Sequence, residues 1–240
     1  MSLRRTGPSA PPLIEGTAGA NPLLQRYSRD DLVVLTDEER RRLQIDVDAD
    51  PRRHPAVAWE LLYRLEPALY DRLVTAERLH PGILDWLPRH VDRIVEVAAG
   101  TGRLTLELVK RCHTLIAIEP AAPMRELLTR KLNTATDVSS FAVAQRQAPA
   151  SSVRVTDGFF DALPVADQSA DLVIACSALT PEASRGGDRG LAEMERVCAA
   201  SGMVVIVWPN QPEWLAGHGY RYQSFPGEMA MEFASLEEAI

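Results

Sequence analysis

The stretch Arg93-Ile-Val-Glu96-Val-Ala-Ala-Gly100-Thr-Gly102-Arg103 decides the fold. An apolar run halts at two glycines and flows into helix-forming residues. It therefore reads as a strand, a tight turn and a helix, with backbone N–H groups exposed at the turn. A small polar ligand fits such a place. The next apolar run ends at Glu119, 17 residues beyond Gly102, a spacing at which a carboxylate reaches the paired hydroxyls of a ribose held over the turn. Together the two features predict a nucleoside ligand.

What the motif lacks narrows the nucleoside. The pattern G-x-G-x-x-G would put a third glycine where Thr105 stands, and Ala98 occupies the position two before Gly100, so a diphosphate cradle is poorly supported. Glu96 sits inside the strand four residues before Gly100, where a carboxylate repels a diphosphate but suits an ammonium and a sulfonium. S-adenosylmethionine carries both. On the run Glu96-Val-Ala-Ala-Gly100-Thr-Gly102, of the form acidic-x-x-x-Gly-x-Gly, the chain resembles the class I S-adenosylmethionine-dependent methyltransferases, in their small-molecule branch. The resemblance runs from about Ile94 to Trp208. It is strengthened by Asp157-Gly-Phe-Phe-Asp161-Ala-Leu-Pro164 and Asp167-Gln-Ser-Ala-Asp171-Leu-Val-Ile, similar to the family's approach to its fourth strand.

The resemblance implies a Rossmann-like α/β fold: a mostly parallel seven-stranded sheet, a C-terminal antiparallel hairpin and an N-terminal helical appendage. It implies S-adenosylmethionine as cofactor and a small-molecule methyl acceptor. The cofactor contacts it points to are Tyr70, Glu96, Ala98, Gly100, Thr101, Gly102, Glu119, Pro120, Met124, Phe159, Phe160 and Ser177. Phe159 and Phe160 stand where the family often has the Asp-Ala pair that recognises adenine. Either Phe160 supplies a backbone N–H and an apolar wall, or Asp157 or Asp161 takes the carboxylate role from a shifted position. Methyl transfer asks for no protein nucleophile, so Cys176 is given no role, and no general base is assigned. Two rivals remain from the residues: a nicotinamide-dinucleotide oxidoreductase, opposed by the missing glycine and the lack of Tyr-x-x-x-Lys, and a methyltransferase-like binding protein without turnover. An aminopropyl-transferring relative is opposed by the absence of an acidic cluster after the fourth strand.

Composition bounds the rest. Twenty-six Lys and Arg stand against 33 Asp and Glu, a net charge of −7. That argues against a nucleic-acid partner, which needs a concentrated basic face. Three dispersed cysteines indicate neither a disulfide framework nor zinc, and five scattered histidines lack a metal-ligand spacing. With no apolar run of membrane-spanning length and no signal-peptide core after Arg4 and Arg5, the expectation is a cytoplasmic protein; a transit peptide is the alternative for the acid-poor start. Only Lys110 and Lys131 among the basic residues are lysine, a bias associated with a high-GC bacterial genome. A homodimer is left open.

Along the chain, residues 1–24 are Pro- and Gly-rich and read as an arm, 25–90 as a helical lid or appendage, and 91–240 as the cofactor-binding domain. Thr36-Asp-Glu-Glu39 is a capping box, and His54-Pro55, Pro67 and His80-Pro81 each start or restart a helix. Then follow strand 93–98, helix 103–112, strand 114–118, helix 122–132, strands 152–157 and 171–176, helix 189–199 and strand 203–208. That alternation predicts a parallel sheet covered on both faces. Residues 133–151 read as a surface loop holding at best a poor helix. Gly219–Phe225 and Met229–Ala234 read as strands about the Pro226-Gly227 turn. Ser235-Leu-Glu-Glu238 is a capping box cut short by Ile240, which points to a natural chain continuing further.

Overall fold

The computed structural model describes residues 25–142 and 152–227. Among them five strands form one sheet: β1 Val91–Val97, β2 Cys112–Ile118, β3 Ser152–Thr156, β4 Ala170–Cys176 and β5 Cys198–Val207. All neighbours are parallel in the order β3-β2-β1-β4-β5. The strand order reverses between β1 and β4, and the crevice at the carboxyl ends of that pair is where open sheets bind ligands. Ile94 pairs with Leu115 on one side and Leu172 on the other, so β1 is interior, and Ile94 through Val97 are buried without alternation. Burial on both faces explains the unbroken apolar runs.

Helices cover both faces. Val95, Val97, Val173 and Ala175 pack with Leu191 and Met194 of the helix Gly187–Val197. Ile94, Leu172 and Ile174, one residue out of phase, pack with Leu104 and Leu108 and with Ile83 and Leu87. The two-residue period thus sends Glu96 to the second face, beside the turn that follows β1.

The N-terminal helices are α1 Asp37–Leu43, α2 Pro55–Leu65, α3 Pro67–Ala76 and α4 Pro81–Trp86. The capping box at Thr36 forms as read: the Glu39 N–H donates to Thr36 Oγ1 at 3.2 Å and the Thr36 N–H to Glu39 Oε2 at 2.8 Å. Each proline lies at the first helical position, where its missing N–H costs nothing. These helices enclose a core of their own, including Tyr27, Leu32, Leu35, Leu61 and Leu62. The Lys131 ammonium meets Asp71 Oδ1 at 2.8 Å and ties α3 to the helix after β2.

Several expectations are corrected. The described sheet has five strands and not seven. Gly219–Phe225 forms no strand: the Phe225 ring stacks on His80 at 6.0 Å, and His80 Nε2 donates to the Pro226 carbonyl at 3.0 Å. Side-chain contacts to α4 therefore hold this segment instead of a ladder on β5. Its expected partner Met229–Ala234, the capping box at Ser235 and residues 1–24 lie outside the described residues. The helix expected over 103–112 shrinks to α5, Thr105–Leu108, and a 3-10 turn at Val109–Arg111, because Val91 pairs with Cys112 and draws it into β2. The helix expected to end at 132 instead runs from Ala122 to Ala142 as α6, across part of the segment read as a loop. The helix Gly187–Val197 is α7, and Pro212–Gly217 is α8.

Candidate cofactor site

The turn after β1 is built by backbone conformation. Gly100 and Gly102 have φ of +57° and +94°, the left-handed region that glycine enters at little cost. A Cβ on Gly102 would lie 2.4 Å from Leu128 Cδ1, so that glycine also lets α6 close on the turn. Ala98, Ser177 and Trp208 follow directly on β1, β4 and β5 and take φ of +56°, +54° and +51°. Three neighbouring strands thus end in left-handed residues that are not glycine, each costing about 1–3 kcal/mol, and such backbone gathers at ligand sites.

Two carboxylates flank the turn. Glu119 is buried; its Oε2 accepts the Gly100 N–H at 3.0 Å and its Oε1 the Ala121 N–H at 2.9 Å. Burial nonetheless raises its pKa to about 7, against those two N–H groups that favour the charge. Glu96 is 2% exposed. Burial pushes its pKa up to about 8; the nearby Thr105 hydroxyl pulls the other way, and the negative charge of Glu119 adds to the rise. Among the described residues, three buried side-chain oxygens have no hydrogen-bond partner: Glu96 Oε2, Thr101 Oγ1 and Thr105 Oγ1. Orphaned buried oxygens are costly, and their gathering at one turn marks a place that a polar ligand completes.

The N-terminal helices cover the turn from one side. A Cβ on Gly100 would sit 3.7 Å from Tyr70 Cε1 and 3.8 Å from Met124 Cε, so Tyr70 lies over the turn. Its ring packs edge-on against Tyr63 at 5.0 Å, and burial raises its hydroxyl to about 12. Behind it runs a chain of charges: Arg185 Nη1 to Glu60 Oε1 at 2.8 Å, Glu60 Oε2 to Arg64 Nη1 at 2.7 Å, and Arg64 Nη2 to Glu39 Oε1 at 2.9 Å. It joins α2 to α1 and to the loop after β4. The pairing offsets a desolvation cost that either charge of Glu60–Arg64, both buried, would carry alone.

Tyr70, Glu96, Ala98, Gly100, Thr101, Gly102, Glu119, Met124 and Ser177 are thereby placed at the carboxyl edge around one crevice, with Pro120 following Glu119. The aromatic pair is placed differently. The Phe160 ring, half-buried, packs against Leu179 and the close-approach glycines Gly186 and Gly190 at the edge of the core. The Phe159 ring lies under the Arg42 guanidinium at 5.1 Å. Asp161 pairs with Arg42, and Asp157 with Arg125 at 2.9 Å. His218 pairs with Asp188 at 3.3 Å, and the Tyr220 hydroxyl donates to Glu195 at 3.0 Å.

Sequence reasoning missed Arg103, although it closes the stretch quoted first. Its guanidinium pairs with Glu77, lies 4.6 Å from the centre of the Trp208 ring and reaches Ser177 Oγ at 3.5 Å. It also missed Thr105, read only as an absent glycine.

The profile of a methyltransferase domain matches residues 95–206, from the middle of β1 to the end of β5. Residues 95–206 thus carry a methyltransferase domain of the class I S-adenosylmethionine-dependent kind. An uncharacterized methyltransferase of Mycobacterium tuberculosis is 28% identical over 139 residues, 56% of this chain and 47% of that protein. Another, from Oceanobacillus iheyensis, is 25% identical over 115 residues, 48% of this chain and 46% of its own. The chain spans about half the length of the curated relatives it matches. A structure of an S-adenosylmethionine-dependent methyltransferase from Thermotoga maritima, described as a possible histamine N-methyltransferase, aligns with a TM-score of 0.43 at 20% identity, covering 62% of this chain and 60% of that one.

S-adenosylmethionine is the cofactor of this family, and the donor set fits it. An ammonium and a sulfonium are cations, and the crevice offers two buried carboxylates, one with an unpaired oxygen. A diphosphate finds no cation in that pair, and its own charge would oppose their ionisation. Among the described residues no group of His, Cys, Asp and Glu is arranged to hold a metal, and no helix is long and apolar enough to cross a membrane.

Proposed function

We propose that this methyltransferase passes a methyl group to a small-molecule acceptor at the carboxyl edge between β1 and β4. The observation that carries this reading is the pair of buried carboxylates at a glycine turn of positive φ, together with the orphaned oxygens of Glu96, Thr101 and Thr105. Glu96 takes the ammonium, and Glu119 accepts from the ribose hydroxyls with the lone pairs its two N–H bonds leave free. The turn at Ala98, Gly100 and Gly102 brings backbone close to the methionine portion; Thr101 and Thr105 add hydroxyls, and Pro120 and Met124 an apolar wall. Because Asp157 and Asp161 are paired, the base contact falls to the backbone at Phe160 and the ring of Phe159. Tyr70, on a lid formed by residues 25–90, excludes water, and Ser177 lies toward the reacting centre.

Bound there, the cofactor supplies an electrophilic methyl on sulfur. The chain itself positions the acceptor in line, excludes water and accommodates charge as it spreads. The acidic net charge supports a small molecule over a nucleic acid as partner.

The test is calorimetry and thermal unfolding with S-adenosylhomocysteine and, separately, NAD⁺. The first should bind and raise the melting temperature by mass action, and the second should do neither. Saturating S-adenosylhomocysteine with no heat and no shift would overturn the proposal.

A further inference from the structure

A cavity of about 490 Å³ lies beside the crevice, between α4 with the link that precedes it, the end of β5 and residues 220–227. Its wall is aromatic, with Trp86, Trp208, Tyr222 and Phe225 among the lining side chains, and Val205 and Val207 supply an apolar floor. Pockets of this size and character hold small molecules of one or two rings. Ser177 lines the cavity and also follows β4 at the crevice. The two spaces therefore meet at Ser177.

Arg103 stands at that meeting point. Three of its contacts, Glu77, Trp208 and Ser177, line the cavity, while on the other side its charge acts on Tyr70 and Glu96. One terminal nitrogen is engaged by Glu77. The other reaches Ser177 Oγ and Cys176 Sγ, each at 3.5 Å, at the outer limit of hydrogen bonding. A mostly buried guanidinium with one edge held so loosely is an anion donor in waiting, because its five N–H groups serve more than one acceptor.

Resting on the function proposed above, we propose that the cavity is the acceptor pocket and that it selects a planar aromatic molecule bearing an acidic oxygen, a carboxylate, which Arg103 and Ser177 hold at the mouth of the crevice. The flat body stacks among the tryptophan and tyrosine rings. The oxygen accepts from the loose guanidinium edge and from the Ser177 hydroxyl. Held as the anion it needs no general base, consistent with a pocket whose one histidine is committed: His80 Nδ1 accepts the Gly82 N–H at 3.0 Å while Nε2 donates to Pro226. In the transfer, an oxygen–carbon bond forms as the sulfur–carbon bond breaks, the electron pair departs on sulfur, and no proton moves. Arg103 acts here as a specificity residue for charge.

The experiment measures binding by tryptophan fluorescence, which Trp86 and Trp208 make sensitive to this cavity, on the full chain saturated with S-adenosylhomocysteine. The probes are 2-naphthoate and its neutral isostere 2-naphthamide. Wild type should bind the naphthoate at least about tenfold more tightly. Arg103→Gln should bring the two within about twofold, Arg103→Lys should keep part of the preference, and Ser177→Ala, which leaves the guanidinium in place, should lose a few-fold of it. Equal affinities in wild type, no naphthoate binding, or a preference unchanged in Arg103→Gln or, should that variant fail to fold, unchanged in Ser177→Ala, would overturn the assignment. If Arg103→Gln instead loses S-adenosylhomocysteine while the naphthoate preference persists, Arg103 serves the cofactor and the assignment is wrong. Failure of S-adenosylhomocysteine to bind wild type would sink the proposed function itself, whatever the naphthoate does.

Discussion

Replacing Glu96 by Gln should stabilise the free protein at alkaline pH while weakening its hold on S-adenosylhomocysteine. The carboxyl is wholly buried, and burial lifts its pKa from 4.5 to about 8. A carboxyl whose folded pKa exceeds its unfolded value costs nothing below about pH 4.5, where both states hold the proton. Its cost grows as pH rises and is complete above about pH 8. At ~1.4 kcal/mol per tenfold, the rise corresponds to about 5 kcal/mol of destabilisation at high pH, as an upper bound. Gln keeps the shape and cannot ionise. The difference in melting temperature should therefore be smallest at pH 4.5 and grow in favour of Glu96→Gln by several degrees at pH 8.5. In wild type at pH 7, about nine-tenths of Glu96 should carry a proton, which the ligand ammonium displaces when it becomes the counter-ion. Calorimetry in phosphate, HEPES and Tris at pH 7 should show proton release approaching one per ligand, smaller in Glu96→Gln. A melting difference that does not change with pH, or no buffer dependence of the binding heat, would refute the argument that Glu96 is a buried, unpaired carboxylate facing the ligand.

Glu119→Ala should raise the dissociation constant for S-adenosylhomocysteine by roughly 1.5–3 kcal/mol, since a charged acceptor is lost, with Glu119→Gln milder; unchanged calorimetric affinity in a folded alanine variant would reduce Glu119 to a tie between Gly100 and Ala121. Gly102→Ala combines φ +94° with a Cβ 2.4 Å from Leu128 Cδ1 and should cost about 2–4 kcal/mol in denaturant unfolding, whereas Gly217→Ala, with nothing within 4 Å, should stay within ~1 kcal/mol of wild type. Arg64→Ala leaves Glu60 buried beside a single remaining cation, Arg185, and should cost about 3–5 kcal/mol by the same measurement, while Arg41→Ala on the exposed face of α1 should cost under ~1 kcal/mol.

Features governed by local geometry were legible in the amino-acid order. Apolar runs long enough for one strand, broken by Gly100 and Gly102 and spaced by helix-length segments, leave few arrangements besides a parallel sheet with its ligand edge at that turn. Thr36, Pro55, Pro67 and Pro81 fixed the helix starts of the lid, because caps and prolines act within one turn of chain. The carboxylates Glu96 and Glu119 were legible for the same reason, each being a set number of residues from the glycines on adjacent strands.

Features that depend on contacts between segments far apart in the chain emerged with the packed fold. The pairing of Val91 with Cys112 shortened α5, and the stacking of Phe225 on His80 held Gly219–Phe225 off the edge of β5. Phe160 packs at the edge of the core because Gly186 and Gly190 open a space for its ring, and no local pattern announces that. Arg103 was visible as a letter next to Gly102. Its place between the crevice and the aromatic cavity comes from Glu77, Ser177 and Trp208, which reach it from three other elements, and burial within the fold is likewise what leaves Glu96 Oε2 without a hydrogen bond and turns an ordinary carboxyl into one that titrates near pH 8.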